Sequence, residues 1–179
     1  MLVSLVSYST DGINFSLIKG TKKVKLVFDN VDKGQTLLIK SQRGEVLHKE
    51  EILHEGTIYR VFDFSDLKIG NYEIDIDKES EILRKPFVIN SSSVIFKKDE
   101  ITLISKPVIK LDKDILSVSG LDTTDKELSV KILFKGKEIF AEDVSSKSSR
   151  LYKLDKFAKG DYTVFVKTQG KVFTEEFVF

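Results

Sequence analysis

The sequence predicts an all-β protein made of two tandem Ig-like or fibronectin-like antiparallel β-sandwich domains, and three observations predict it. Apolar residues recur at every second position, glycine-bearing turns separate the apolar runs, and much of the pattern occurs twice. A strand sends residues i, i+2 and i+4 to one face, so sets such as Ile13/Phe15/Leu17, Val24/Leu26/Phe28, Tyr72/Ile74/Ile76 and Val164/Val166 read as half-buried strands. No long window keeps the 3-4 rhythm of an amphipathic helix. With one apolar face per strand, two sheets packed face to face bury the pattern most simply. A small barrel is the alternative closure.

The elements follow in order from where the alternation breaks. Strands are expected near 3–8 and, after Asp11-Gly12, 12–18 and 22–28. Lys33-Gly34 introduces 36–41, Arg43-Gly44 leads to 45–52, and Glu55-Gly56 to 58–64. Gly70-Asn71 opens 71–77, followed by 82–89. Beyond the polar break Asn90-Ser-Ser-Ser93, strands are expected near 93–97, 100–105, 107–110, 114–119 and 127–134. Lys135-Gly136 turns the chain into 137–144 and then 149–154, and Gly160-Asp161 opens 161–167 before a last strand at 171–178. Faces opposite the apolar ones carry residues such as Asn14, Ser16 and Lys25, and the ladder Glu73, Asp75 and Asp77 is expected to face water.

The repeat sets the expected domain count. Val6-x-Tyr8 followed by Ile13-x-Phe15 runs parallel to Val94-x-Phe96 followed by Ile101-x-Leu103, at an offset of 88. Phe62-x-Phe64-x-x-Leu67-x-x-Gly70-x-Tyr72 matches Tyr152-x-Leu154-x-x-Phe157-x-x-Gly160-x-Tyr162, and Phe87-Val88-Ile89 matches Phe177-Val178-Phe179, both at 90. A shared order of apolar sites with a small drift is the mark of a duplicated fold with loop insertions. Domains at 1–90 and 91–179 follow.

The motif present once in each half is assigned a packing role. Leu67 and Phe157 are expected to plug the space between sheets, and Gly70 and Gly160 to supply turn backbone that other residues resist. Tyr72 and Tyr162 then start a strand with the ring in the core and the hydroxyl returned to a turn carbonyl, as in a tyrosine corner. The stretches Asn30 to Ile76 and Leu121 to Phe179, with Arg43-Gly44-Glu45-Val46-Leu47 or Lys135-Gly136-Lys137-Glu138-Ile139, this motif, and closing strands ending at Ile89 or Phe179, resemble small β-sandwich modules of Bacteroidota secreted and surface proteins. Those modules include the C-terminal sorting domains of the type IX secretion system. The resemblance implies an exported adhesion, sorting or accessory module with a periplasmic, cell-surface or secreted location. Two features are expected to depart from a sorting domain: a similar unit stands upstream in tandem, and the 179 residues hold no large cargo domain ahead of it.

Composition excludes much chemistry. The 179 residues contain no Cys, which removes disulfides, thiolate metal sites and cysteine nucleophiles, and only two His. Lys plus Arg number 29 against 28 Asp plus Glu, so no net field recruits nucleic acid. No apolar run is long enough to span a bilayer as a helix. His48 and His54 lack a third ligand at usable spacing, and Glu73, Asp75 and Asp77 lack the loop that shapes a calcium site, so no metal and no cofactor is expected. Nucleotide-loop, nucleophile-elbow and zinc-protease motifs are absent. The expectation is a non-enzymatic protein-binding or assembly module, using loops, a sheet face or an uncovered edge such as 171–179. A carbohydrate-binding module, with a glycan as partner, and a passive spacer are the alternatives.

Overall fold

The computed structural model describes residues 5–8, 13–18, 21–97, 100–121, 128–144, 149–154 and 158–179, with backbone alone at 5–8, 15 and 18. It is all-β and antiparallel. The chain divides into two compact units, Met1–Ile104 and Ser105–Phe179.

In the first unit, β1 (Leu5–Tyr8), β2 (Ile13–Ile18), β3 (Lys23–Val31), β4 (Thr36–Ser41) and β5 (Val46–Glu51) lead to β6 (Gly56–Asp63), β7 (Gly70–Asp77), β8 (Glu81–Ile89), β9 (Val94–Phe96) and β10 (Thr102–Ser105). One sheet has the order β1-β2-β3-β6; the other runs β10-β8-β7-β4-β5, with β9 also paired to β8. Alternation does what the sequence requires. In β3, Val24, Leu26 and Phe28 are buried and the residues between them are more exposed, until a register shift before Val31 that coincides with positive φ at Asn30. Those side chains meet Leu37, Ile39, Ile74, Ile76 and Phe87 of the facing sheet to form the core. At about 1.5–3 kcal/mol per fully buried large apolar side chain, this layer is the main source of stability.

The second unit contains β11 (Val108–Asp112), β12 (Ile115–Ser119), β13 (Ser129–Phe134), β14 (Lys137–Asp143), β15 (Ser149–Lys153), β16 (Asp161–Thr168) and β17 (Lys171–Val178). Its sheets have the orders β11-β12-β15 and β14-β13-β16-β17. Leu116 and Val118 face Val130, Ile132, Val164 and Val166 across its core. The seven strands reproduce β2-β3-β6 and β5-β4-β7-β8 of the first unit in order, which in immunoglobulin-type lettering is A-B-E against C′-C-F-G. Even the irregularity recurs: the β4/β5 register shifts between Ile39 and Lys40, and the β13/β14 register between Ile132 and Leu133.

The unit boundary falls later than the repeat suggests. β9 pairs with β8 through Ile89↔Val94, Val88↔Ile95 and Phe87↔Phe96, so the strand matched in sequence to β1 lies on the first unit's sheet. Asn90 makes that return tight. Its side-chain oxygen accepts the backbone N–H groups of Ser92 and Ser93, and its own N–H donates to the carbonyl of Ser93.

Candidate functional site

Each unit closes one side of its sandwich with the same device. In the first, the Arg60 Nε donates to Glu50 Oε1 at 2.7 Å, joining edge strands β6 and β5, while His48 and Phe62 meet edge to face at 5.1 Å. In the second, the Arg150 Nε donates to Glu142 Oε1 at 3.1 Å, joining β15 and β14, and Phe140 meets Tyr152 edge to face at 5.3 Å. Tyr152 adds a hydroxyl donated to Glu142 at 2.6 Å. The Arg60 guanidinium holds the Glu50 carboxyl below its usual range, against desolvation and with help from His48. Burial, then the Glu142 carboxylate, pushes the Tyr152 phenol up. These clasps were not predicted from sequence because their partners come from strands in different sheets. The signal that could have found them is the repeat itself, which sets Glu50 against Glu142 and Arg60 against Arg150.

The residues of the repeated motif sit on the loop and first strand residues after the clasp. Tyr72 is buried and donates its hydroxyl to the Lys68 carbonyl at 2.7 Å; Tyr162 is buried and donates to the Ala158 carbonyl. Burial pushes the Tyr162 phenol up. Gly70 and Gly160 have φ of 159° and 149° and begin the pairing with Ile89 and Phe179. Leu67 packs against the first core, and Phe157 lies outside the described residues.

The acidic ladder requires a correction. Asp75 does not face water: its side chain is fully buried on β7, because each neighbouring strand delivers a cation to it. Arg84 of β8 holds it by two bonds of 2.9 and 3.1 Å, and Lys40 of β4 donates at 2.8 Å. Glu73 binds Arg84 as well, at 3.1 Å. Desolvation works to lower the Arg84 pKa, and the two carboxylates outweigh it, so it is raised. An alternation argument assumes one wet face and misses a face made dry by ion pairing.

Other candidates do not assemble a reaction centre. Among the described residues no three His, Asp or Glu side chains converge as metal ligands. Lys23 pairs with Asp63 at 3.5 Å, Lys97 pairs with Glu100 at 3.2 Å, and Lys25 lies over the exposed ring of Tyr59 at 4.8 Å. A groove of 580 Å³ is lined by polar residues such as Gln42, Arg43 and Asp66 together with the apolar Leu47, Leu67 and Ile69, a mixed set in which no nucleophile is held by a base. Among the described residues no helix is long and apolar enough to cross a membrane.

What separates the units is the other side of the sandwich. β8 carries β9 and β10 along its outer edge, and β2 carries β1. Their counterparts β17 and β11 are the last strands of their sheets among the described residues. On β8 the cover has consequences for side chains. Phe96 stacks on Phe87 at 5.1 Å, Phe87 is 2% exposed, and Lys85 is fully buried with its ammonium donated to the Lys97 carbonyl at 2.7 Å. On β17 the counterpart of Phe87, Phe177, is half-buried, and Glu175 stands exposed at the position of Lys85. Val178 is 81% exposed. Phe179 exchanges both backbone bonds with Gly160, at 2.9 Å each, so the alternate residues Val178 and Glu176 aim their N–H and C=O groups away from β16.

No family model matches the chain and no curated protein is similar to it. Several solved structures align with it, two of them as follows, at low identity. One is titled "Biofilm associated protein - BSP domain", at 13% identity and a TM-score of 0.29, covering 97% of this chain and 28% of that one. The other is native alpha-2-macroglobulin from Escherichia coli spanning domains NIE-MG1, at 8% identity and a TM-score of 0.31, covering 98% of both chains. At these scores neither alignment bears on function.

Proposed function

We propose that the chain is a non-enzymatic protein-binding or assembly module of a bacterial cell envelope or secreted protein, and that it takes its partner by adding a strand to β17. The observation that carries this reading is the contrast between the G-position strands: β8 is covered by β9 and β10, while β17 ends its sheet among the described residues. An edge of that kind offers main-chain donors and acceptors to an extended peptide, and alternate side chains select it. The likeness of the glycine-tyrosine motif to exported Bacteroidota sandwiches supports the location. The glycan alternative is not preferred, because Tyr59, the exposed tyrosine among the described residues, already carries Lys25 on its ring.

A synthetic peptide with the sequence Ser92 to Lys98 tests the reading, since β9 within it already pairs with a strand of this type. Added to the full chain, it should slow amide exchange at Val178 and Glu176, and Val178→Pro, which removes an outward N–H, should abolish the effect. Protection elsewhere, or none, would refute strand addition at β17.

A further inference from the structure

We propose that the strand received by β17 is β1 of a second copy of this chain, so that copies join head to tail. The inference rests on the strand-addition reading above and names its partner. The template lies within the molecule. β8 ends Phe87-Val88-Ile89 and receives Val94-Ile95-Phe96 antiparallel, with Ile89 opposite Val94 and Phe87 opposite Phe96. β17 runs into Phe177-Val178-Phe179, in the same register to β16 as those residues have to β7. The sequence element that repeats the receiving strand's complement is Val6-Ser7-Tyr8, at the offset of 88 that relates it to Val94-Ile95-Phe96. It lies in β1, which is the terminal strand of its sheet and pairs only with β2 among the described residues. Laid on β17 as β9 lies on β8, β1 of a neighbour sets Val6 opposite Phe179 and Tyr8 opposite Phe177.

Charge favours this occupant over the symmetric one. β17 carries Glu175 and Glu176 near its centre, both exposed, so two β17 strands paired antiparallel would bring glutamates against each other. Residues 1–10 carry no charged side chain. The donor and acceptor surfaces differ, so the contact is heterologous and each added copy presents a fresh β17. A strand of this length makes a small interface, and association is therefore weak and driven by concentration.

Sedimentation equilibrium of the full chain from micromolar to millimolar concentration tests the proposal. The weight-average mass should climb past that of a dimer. Tyr8→Asp, which sets a carboxylate on the Phe177 ring and diagonal to Glu175, and Val178→Pro should each remain monomeric alone, and an equimolar mixture should form a dimer and stop, because one retains only a receiving edge and the other only a donating strand. Glu176→Pro serves as the second receiving-edge variant, with circular dichroism reporting that each variant is folded. A wild-type chain that stays monomeric throughout, stops at a dimer, or yields a mixture no heavier than its parts overturns head-to-tail joining. If the Ser92 to Lys98 peptide still protects Val178 while the chain stays monomeric, strand addition stands and only the identity of the partner falls; if the peptide also fails, both fall.

Discussion

The two units share seven strands, a clasp and a tyrosine hydrogen bond, and they differ in what lies beyond β8 and β17. In the first unit the extra strands convert an edge into an interior: Phe87 becomes part of a stack with Tyr72, Phe64 and Phe96, and a lysine is buried beside it. In the second the same backbone is left with half-exposed phenylalanines. The comparison teaches that burial at these positions is set by neighbouring strands supplied from further along the chain, and not by the residue at the position.

The sharpest way to break the comparison is to truncate the paired phenylalanines. Phe87→Ala should cost about 4 kcal/mol and Phe177→Ala about 2, because only the first leaves a closed cavity. Urea unfolding with amide exchange followed in each unit reads both; equal losses would mean that β9 adds no burial. Glycine substitutions come next and reverse the order. A Cβ at Gly160 would lie 2.9 Å from Phe134 Cε2 and 3.2 Å from Lys135 Cε at a φ of 149°, whereas at Gly70 the nearest atom is Tyr72 Cε2 at 3.9 Å. Gly160→Val should therefore destabilise the second unit by about 3 kcal/mol and Gly70→Val the first by about 1.

The clasps separate the units by pH. Glu50 has a depressed folded pKa, so its contribution is present above the ordinary carboxylate range and is lost as pH falls through the folded value. Tyr152 has a raised folded pKa, so its contribution is present below the ordinary phenol pKa of about 10 and is lost as pH rises through the folded value. Exchange measured across the range should find the Glu50 contribution to the first unit, under about 1 kcal/mol for so accessible a pair, lost in acid, and the Tyr152 contribution to the second lost in strong alkali. Glu50→Gln should reduce the acid limb and leave the part that belongs to Asp63 and the buried Asp75, and Tyr152→Phe should reduce the alkaline one and leave the part that belongs to Tyr162. The smallest effect on stability is expected from Val178→Pro, under about 0.5 kcal/mol, since its N–H points away from β16. Val88→Pro removes a group directed at Ile95 and should cost several times more.

Strand positions were legible because half-buried strands write a period of two into the sequence, and Gly70, Gly160, Tyr72 and Tyr162 stand out in the sequence because their motif recurs at an offset of 90. The burial of Asp75 and Lys85 was not legible. Both depend on which strands become neighbours, Lys40 and Arg84 for the first and the segment around Lys97 for the second, and pairing order is not written in local periodicity. The placement of β9 was hidden for a related reason. Val94-x-Phe96 has the pattern of β1, and the same alternation serves a strand that opens one sheet or seals another.

The strip laid over β8 also orders events in time. A chain made or threaded from its N-terminus presents β8 before Val94–Phe96 and Thr102–Ser105 have emerged, so the first unit cannot finish folding when Ile89 appears. During that interval Phe87 stands at an open strand edge, and its burial waits on residues not yet made.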